Sequence, residues 1–378
     1  MELSEIRQRI DTIDDQLLNL FLDRMALSEE VAAYKESHHL PLLNKQRERE
    51  ILADVSRKSG EQDRFARHLF STLFELSRAR QAELISAPTQ VHQVVTEALG
   101  RSQQVFPKTG LIACQGIEGG NSQAAADRLF PRGNLIFVKS FRAVVSAVES
   151  GLCRFGVLPI ENSANGSVRA VYELLQAHRL SVVRSTRLCI RHELLALPGA
   201  DLNGITTIYS HEQALGQCSK FLENLPNVRI VPCANTAVAA RQVAESGDLH
   251  AAAIASHSCT ALYGLNCLND RIQDSDNNYT RFICISRQPE IYDGSDRISL
   301  IFSCENKPGA LYAMLAKLDA LDINMTKLES CPVTGRNFEF LFFLELEANL
   351  REPGVLTMLE EMERSSETFQ LLGSYSEV

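Results

Sequence analysis

The sequence lacks the features of a membrane or secreted protein. Among its 378 residues, no apolar run approaches the 18 or more residues that a membrane-spanning helix requires. Residues 1–5, Met-Glu-Leu-Ser-Glu, lack the basic segment of a secretory signal peptide. We therefore predict a soluble, cytoplasmic protein with no membrane partner.

Metal-binding and disulfide patterns are also missing. The ten cysteines form no Cys-x-x-Cys pair, and most lie in apolar stretches, as Cys114 and Cys284 do. Such cysteines are typical of reduced core residues in an intracellular protein. The histidines form no ligand cluster either, since His38 and His39 are a pair at a helix end and His211 stands alone. The sequence thus predicts no metal site.

An excess of positive charge and a nucleotide-binding glycine pattern are absent as well. The formal net charge is −9 at pH 7, which argues against non-specific binding to nucleic acids. The loop 116–122, Gly-Ile-Glu-Gly-Gly-Asn-Ser, could offer backbone N–H groups to an anion, but it does not match Gly-x-Gly-x-x-Gly. We expect no nucleic-acid partner and no cofactor. An anionic substrate would need cations concentrated at its site.

Residues 1–86 contain no convincing strand and are predicted to form three helices. The expected ranges are Leu3 to about His38, Lys45 to about Ser59 and Asp63 to about Ile85. At 1.5 Å per residue the first helix would be roughly 50 Å long, which is more than two shorter helices can cover.

The apolar residues of this first helix alternate at spacings of three and four, which indicates one continuous apolar seam. The seam consists of Leu3, Ile6, Ile10, Ile13, Leu17, Leu20, Leu27, Val31 and Tyr34. We therefore predict that the chain forms a homodimer through the seam.

One charged residue, Arg24, falls in register with the apolar seam. A buried guanidinium is costly unless an anion meets it, and the seam offers no carboxylate. A ligand is therefore a candidate for the missing anion. The alternative is that Arg24 only fixes the register or the oligomeric state, as polar seam residues often do. Further cations nearby, Arg7, Lys35 and Arg47, favour a ligand site.

The middle of the chain alternates β-rich runs with helical patterns, after a polar connector at about 87–108. The runs are 111–114, 135–138, 155–160, 180–183, 205–209, 228–231 and 251–255. Their alternation with helices predicts parallel βαβ units in two lobes with a cleft between them. Ligands of such folds bind at the carboxyl ends of strands.

From about residue 297 the pattern changes to strand, helix, two strands, helix and strand. The expected ranges are 298–304, 310–320, 324–330, 337–345 and 354–364, followed by a short last strand. This βαββαβ order is that of a ferredoxin-like α+β unit.

Four predicted strand ends in the middle region carry hydroxyl and amide side chains: 116–122, 161–167, 210–213 and 276–282. Singly, each is explained by turn or capping chemistry. Together they predict a polar cleft that contains Arg281 but no carboxylate pair, Ser-His-Asp set or metal site. Such a cleft suits an elimination, in which a cation holds a substrate carboxylate and a hydroxyl protonates the leaving group.

Motifs at these places resemble those of a known family. They are Gly156-Val157-Leu158-Pro159-Ile160-Glu161-Asn162-Ser163, Ser210-His211-Glu212-Gln213-Ala214-Leu215, Ala252-Ala253-Ile254-Ala255-Ser256 and Asp276-Asn277 with Thr280-Arg281-Phe282. On these motifs, the chain resembles the bifunctional P-proteins of phenylalanine biosynthesis. In that family an AroQ-type chorismate mutase is fused to prephenate dehydratase and a C-terminal ACT regulatory domain.

The resemblance implies a multidomain architecture. An all-α, three-helix mutase domain would occupy 1–90, followed by a linker at 91–108. A two-lobed α/β dehydratase domain of the periplasmic-binding-protein type would occupy 109–288, and a ferredoxin-like ACT domain 296–376. Chorismate and prephenate would be the substrates, and phenylalanine the effector, of a dimer or tetramer.

In the N-terminal domain the resemblance implies one substrate pocket. Its residues would be Arg7, Lys35, Asn44, Arg47, Glu48, Ser77 and Gln81, with Arg24 supplied by the partner subunit. Lys35 and Gln81 would donate to the ether oxygen that gains negative charge in the Claisen rearrangement, and Glu48 would have to be protonated or paired. The family usually has aspartate in place of Asn44, which leaves open a chain whose helical region only dimerises.

In the middle domain the resemblance implies that Thr280 protonates the departing ring hydroxyl and that Arg281 anchors a carboxylate. A threonine hydroxyl is a weak acid, so it needs hydrogen-bonded surroundings. The groups expected to supply them are Asn162, Ser163, Ser210 and Gln213.

In the C-terminal domain the resemblance implies a phenylalanine site. Its residues would be Asn306, Pro308, Gly309, Ala310, Leu311, Glu329 and Ser330. Cys331 stands where the family has arginine in Glu-Ser-Arg-Pro, and this change would weaken inhibition or alter its geometry.

Two other functions compete with this interpretation. A two-lobed solute-binding or sensor protein has the same expected middle architecture, but the missing signal peptide and the reduced cysteines oppose it. A mutase fused to prephenate dehydrogenase would need a nucleotide-binding glycine pattern, which the sequence does not contain.

Overall fold

The computed structural model describes residues 2–85, 88–101, 105–225, 227–332 and 340–378. The chain divides into two compact units, Met1–Thr89 and Gln90–Val378. Within the described ranges, every helix is too short or too polar to cross a membrane. The same ranges contain no group of three or more His, Cys, Asp or Glu residues that could hold a metal ion.

The first unit is helical, and its three predicted helices are confirmed. They are α1 Leu3–Ser37, α2 Lys45–Ser59 and α3 Asp63–Ile85, with a short 3-10 turn between α2 and α3. α3 packs against both α1 and α2. α1 begins with a capping box formed by Glu2 and Glu5.

The apolar seam of α1 is exposed in the single chain. All its residues are exposed, from Ile6 at 39% to Leu20 at 65%. The opposite side of the helix, with Ser28 and Ala32, is buried. A long apolar strip in contact with water is a typical interaction surface, so the seam is available to a partner helix.

The second unit begins with helix α4 Gln90–Arg101. Its strands are β1 Thr109–Gln115, β2 Arg132–Val138, β3 Phe155–Asn162, β4 Gly166–Ser167, β5 Ser181–Cys189, β6 Glu193–Ala196, β7 Thr207–Ser210, β8 Arg229–Pro232, β9 Ala251–Ala255, β10 Asn266–Asn269, β11 Tyr279–Ser286, β12 Arg297–Ser303, β13 Asn324–Pro332, β14 Phe340–Glu347 and β15 Phe369–Tyr375. Its further helices are α5 Asn121–Leu129, α6 Phe141–Glu149, α7 Arg169–Ala177, α8 Glu212–Gly216, α9 Ser219–Glu223, α10 Thr236–Ser246, α11 Ser258–Tyr263, α12 Ala310–Asp319 and α13 Val355–Ser365.

Helix α4 differs from the polar linker expected at 91–108. Its residues Val91, Val95 and Ala98 are buried in the core of the C-terminal part of the unit. The Val91 N–H also donates to Glu363 Oε2 of α13 at 2.9 Å. Buried residues at spacings of four and three form one helix face, and the polar residues between them hide this face in the sequence.

The first lobe is a mixed sheet with strand order β2-β1-β3-β11-β5, in which β4 pairs with β3. β1 is parallel to β2 and β3, as predicted. β11, which is not among the runs for which parallel units were predicted, is antiparallel to β3 and β5. β11 enters the sheet last and lies between two strands, so its residues 281–286 are buried.

The second lobe is a sheet with strand order β10-β6-β9-β7-β8. The chain leaves the first lobe through residues 190–192 and returns through residues 270–278. The Ile190 N–H donates to the Asn278 carbonyl at 2.7 Å, so these two crossovers run side by side. The predicted two-lobed α/β arrangement is confirmed.

The C-terminal part is a four-stranded antiparallel sheet with strand order β13-β14-β12-β15 and helices α12 and α13. This order, with its βαββαβ connectivity, is that of a ferredoxin-like unit. β15 packs against β5 of the first lobe. A side chain at Gly373 would overlap the backbone carbonyl of Val182, so only glycine allows this close approach.

Candidate functional site

The first candidate site lies between α1 and α3. Arg24 Nη1 donates to the carbonyl oxygen of Leu73 at 2.9 Å and to the Ser77 hydroxyl. The guanidinium also lies over the Phe74 ring, 5.8 Å from its centroid. Partial burial lowers the pKa of Arg24. Both hydrogen-bond acceptors are uncharged, so Arg24 still offers its positive charge to an anion.

Lys35 reaches the same site from farther along α1. Its Nζ donates to Gln81 Oε1 at 2.9 Å. Burial lowers the pKa of Lys35, although the charge of Glu48 opposes this shift. Ser77 and Gln81 lie one turn apart on the same face of α3. α3 therefore holds Arg24 and Lys35 on one pocket, although they are roughly three turns apart on α1.

Glu48, in the first turn of α2, forms an ion pair with Arg78 of α3. Arg78 lies between Ser77 and Gln81 but is not among the residues predicted for this site. Glu48 was expected to be either protonated or paired with a cation. Its contact with Arg78 corresponds to the paired state. It also ties α2 to α3 close to Lys35.

Three other predicted pocket residues make different contacts in the single chain. The side chain of Asn44 caps α2, because its Oδ1 accepts from the Arg47 backbone N–H at 3.0 Å. The Arg47 side chain is 68% exposed and lies 3.7 Å from Glu50. Arg7 is exposed near the start of α1, about 25 Å along the helix from Arg24 at 1.5 Å per residue. Arg7 therefore cannot reach this pocket in its own chain.

In the single chain, the placement of Arg24 differs from the expected one. Arg24 was expected to act in the partner's pocket, but it lies beside Ser77 of its own chain. The physical reason is the packing of α1 on α3, which places the middle of α1 level with Ser77.

The second candidate site lies where β3 ends and β11 begins in the first lobe. Asn162 and Thr280 face each other in the register of these strands. Asn162 Nδ2 donates to Thr280 Oγ1 and to Asn278 Oδ1, each at 2.9 Å. Because the Thr280 hydroxyl accepts this hydrogen bond, its own proton is available to a ligand. Asn278, which the sequence analysis missed, is only 3% exposed.

Ser163 fastens the two loops of this site together. Its Oγ donates to the Asn277 carbonyl at 2.8 Å and accepts from the Tyr279 N–H at 2.9 Å. The hydroxyl is used within the protein, so Ser163 positions the start of β11.

The motif at 210–213 contributes through a different residue than predicted. The buried Ser210 hydroxyl donates to the Ile254 carbonyl at 2.7 Å, and Gln213 is exposed on α8. One helical turn later, Gln217 Oε1 accepts from Asn278 Nδ2 at 2.9 Å. The spacing of four residues is the signal that could have identified Gln217.

The glycine-containing loop 116–122 contacts the second lobe. The Gly119 carbonyl accepts from Ser256 Oγ at 3.1 Å. The Gly119 N–H, expected to be available to an anion, donates to Gln123 Oε1 at 2.7 Å. This loop therefore links the two lobes.

Arg281 lies on the opposite face of β11 from Thr280, because successive side chains of a strand alternate between faces. Its Nη1 lies 2.5 Å from Glu345 Oε1 of β14, and its Nη2 lies 3.4 Å from Glu161 Oε2. Burial alone would raise the pKa of Glu345, but the hydrogen bond and charge of Arg281 outweigh burial and lower this pKa. The expectation that Arg281 anchors a substrate carboxylate is not met, because Glu345 already pairs with it.

The residues predicted to bind phenylalanine divide into three groups. Asn306, Ala310 and Leu311 line a cavity of ≈ 610 Å³, which Gln176 of α7 also lines. Pro308 and Gly309 form the turn before α12, and Gly309 adopts a left-handed conformation with φ of 82°.

Glu329 and Ser330 belong to β13, and Glu329 contacts the first lobe. It accepts a hydrogen bond from the Ser167 hydroxyl and lies 3.4 Å from Lys327 Nζ. Cys331 is half-buried, and burial raises the pKa of its thiol.

Two family models match the chain. The model described as chorismate mutase type II matches residues 6–82, and the model described as prephenate dehydratase matches residues 112–290. A bifunctional chorismate mutase/prephenate dehydratase from Escherichia coli (strain K12) is 32% identical over 381 residues, covering 99% of this chain and 96% of that protein.

Solved structures resemble the second unit. One, described as a novel type of quorum-quenching acylase, is 31% identical with a TM-score of 0.65 and covers 71% of this chain and 98% of its own. A prephenate dehydratase from Arthrobacter aurescens in complex with L-Phe is 28% identical with a TM-score of 0.64 and covers 70% of this chain and 90% of its own.

Replacing Glu345 with glutamine tests the buried ion pair. We expect Glu345→Gln to lower the free energy of unfolding at pH 7 by about 3 kcal/mol, because Arg281 keeps a buried charge without its main partner. The pKa of Glu345 is lowered in the folded protein. Its contribution is therefore complete above about pH 5 and is lost as the pH falls through the folded pKa. Urea denaturation from pH 7 downwards should show the two proteins converging.

Glu347→Gln is the matched control, because Glu347 lies on the same strand but its side chain is 47% exposed. Its contact with Arg297 is also long, at 3.9 Å. Its unfolding midpoint should stay close to that of the wild type. An equal loss in both variants, or a Glu345→Gln deficit that persists at acidic pH, would contradict the assignment.

Proposed function

Because the chain belongs to the family of bifunctional chorismate mutase/prephenate dehydratases, we propose that the pocket between α1 and α3 rearranges chorismate and that the Thr280 site dehydrates prephenate. The protein is a bifunctional enzyme of phenylalanine biosynthesis that converts chorismate to prephenate and prephenate to phenylpyruvate. The observation that carries the dehydratase assignment is the Asn162–Thr280 hydrogen bond, which leaves the threonine proton free.

The mutase pocket works by charge placement. Chorismate carries two carboxylates, and Arg24 supplies one cation that no acidic side chain neutralises through its hydrogen bonds. We assign donation to the ether oxygen to Lys35 and to the N–H groups of Gln81, because Lys35 Nζ and Gln81 are already in contact through Gln81 Oε1. The rearrangement needs no covalent step, so holding the reactive conformer and stabilising the developing charge are sufficient.

A second copy of the chain completes this pocket. The seam of α1 is exposed along its whole length, and pairing of two seams in opposite directions places the start of one helix near the last turns of the other, level with Lys35. Arg7 then reaches the partner's pocket, which it cannot reach in its own chain. The symmetric dimer makes two equivalent pockets.

Replacing Leu17 in the seam tests the dimer. We expect Leu17→Asp to give monomers in sedimentation and to lose mutase turnover, because a charge enters the apolar interface and Arg7 of the second copy is removed. Leu22→Asp is the matched control, because Leu22 is equally exposed on the same helix but lies outside the seam.

A wild-type protein that sediments as a monomer would remove the dimer. A Leu17→Asp monomer with full mutase turnover would leave the dimer but reject the role of Arg7.

The dehydratase reaction follows from the Thr280 cluster. Thr280 protonates the ring hydroxyl, which leaves as water, while the bond to the ring carboxylate breaks and its electron pair completes the aromatic ring as carbon dioxide departs. The hydroxyl regains its proton from solvent. The hydrogen bond from Asn162 polarises the Thr280 hydroxyl and makes it a better donor than a threonine in water.

Replacing Thr280 tests this role. Thr280→Ala should reduce the dehydratase kcat by about 10²-fold or more, because the proton donor is lost. Mutase turnover should be unchanged, since Thr280 is outside the helical unit. Steady-state assays with prephenate and with chorismate measure the two activities.

Thr280→Ser is the matched control, because it keeps the hydroxyl and should retain most of the dehydratase activity. Wild-type kcat in the alanine variant would exclude Thr280 as the donor.

Phenylalanine inhibition is proposed to act through the C-terminal sheet. The cavity lined by Asn306 and Leu311 is also lined by residues of strands β12 and β14 of that sheet. The related Arthrobacter protein is in complex with L-Phe. The Arg281–Glu345 pair joins β14 to the residue that follows Thr280. A rearrangement of the C-terminal sheet on binding phenylalanine would therefore move Arg281 through its contact with Glu345, and with it the adjacent Thr280.

A charge in the apolar wall of this cavity tests the effector site. Leu311→Glu should abolish the heat of L-phenylalanine binding in calorimetric titration and the inhibition of the dehydratase, because the carboxylate would be desolvated by the ligand. Tyr312→Ala is the control on the same helix, since Tyr312 is 61% exposed and its loss should leave binding intact.

Absence of both heat and inhibition in the wild type would remove phenylalanine as effector. Unchanged binding in Leu311→Glu would move the effector to another site.

A further inference from the structure

A hydrogen-bond chain leads from Thr280 into the crossovers between the two lobes. It runs from Thr280 to Asn162, from Asn162 to Asn278 and from Asn278 to Gln217. Gln217 Oε1 also lies 2.9 Å from His192 Nε2. His192 stands in the outgoing crossover at 190–192 and is 4% exposed.

The direction of the first links is fixed by the backbone. The N–H groups of Ala164 and Asn165 both lie 3.0 Å from Asn162 Oδ1. A backbone N–H can only donate, so this atom must be the amide oxygen. Asn162 Nδ2 therefore points towards Thr280 and Asn278, and the Asn278 atom that meets it must be the oxygen.

The direction of the remaining hydrogen bonds, as far as His192, follows from the orientation of Asn278. With its oxygen facing Asn162, Asn278 presents Nδ2 to Gln217, so the Gln217 atom that it meets must be Oε1. An amide oxygen only accepts. His192 must therefore carry a proton on Nε2, and burial, which lowers the pKa of His192, keeps the ring neutral.

We propose that His192 is a positioning residue of the dehydratase: as the N–H donor at the end of this chain, it fixes the amide of Gln217 and, through Asn278 and Asn162, the direction of the Thr280 hydroxyl. The proposal rests on the dehydratase function proposed for Thr280. The chain of hydrogen bonds involves both crossovers and the second lobe. His192 lies in the outgoing crossover, Asn278 lies in the returning one, and Gln217 belongs to the second lobe. The relative placement of the lobes is thereby linked to the proton donor.

Loss of the His192 donor has a specific consequence. Without it, the Gln217 amide is free to turn and present its N–H groups to Asn278 Nδ2, which is also a donor. Asn278 cannot turn in response, because Asn162 is held by the backbone at 164–165. The chain of hydrogen bonds would then be interrupted at Gln217 or Asn278. The Thr280 hydroxyl would lose its fixed direction, and even a small displacement of a catalytic group lowers the rate.

Three variants in the full-length dimer test the proposal. His192→Leu removes the donor and should lower the dehydratase kcat by about 10- to 100-fold with little change in KM. His192→Gln places an amide N–H near the position of Nε2 and should recover most of the loss. His257→Leu is the matched control, since the His257 side chain is 78% exposed and its loss should leave kcat unchanged.

Dehydratase turnover of the wild-type protein is measured first, because its absence would reject the proposed function itself and not only the role of His192. With an active wild type, unchanged kcat in His192→Leu, or equal losses in the leucine and glutamine variants, would overturn the positioning role. His192→Leu should also cause no further loss when added to Thr280→Ala, since both act on one step. An additive loss there would equally overturn it. Mutase turnover, measured on the same samples, should be unaffected throughout.

Discussion

The antiparallel pairing of β3 with β11 is the constraint on which the second site depends. It joins Asn162 to Thr280, two residues that are 118 positions apart in the chain. The whole second lobe is inserted between these two strands. Closing so long a loop is entropically costly, and the buried central position of β11 provides the compensating apolar contacts. Thr280 and its amide partner Asn162 are therefore placed by the core of the first lobe.

The two-residue repeat of the same strand pair separates two tasks. Asn162 and Thr280 face the amide cluster, whereas their neighbours Glu161 and Arg281 face the C-terminal sheet. Arg281 is buried and would be unfavourable without Glu345. One pair of strands thus supports chemistry on one face and the attachment of the C-terminal sheet on the other.

Helix α1 divides its tasks in a similar way, with a period of 3.6 instead of two. One face packs on α3 and forms the pocket of Arg24 and Lys35, and the other is the exposed seam. The length of α1, about 50 Å, exceeds what its own unit covers. The seam leaves one face of α1 open along the length of the helix, and the proposed dimer depends on this surface.

Sequence patterns were sufficient to predict the three helices of the first unit and the chemistry-bearing motifs, although they missed helix α4. Periodicity predicted α1, α2 and α3 with almost the observed ends, and the motifs identified Asn162 and Thr280. Tertiary structure alone decided which partner each side chain meets. Arg281 was predicted to hold a substrate but pairs with Glu345, and Gln217 replaces Gln213 at the cluster. The reason is physical: helix and strand periods state which residues share a face, whereas the group opposite that face comes from a distant segment whose position only the packed fold sets.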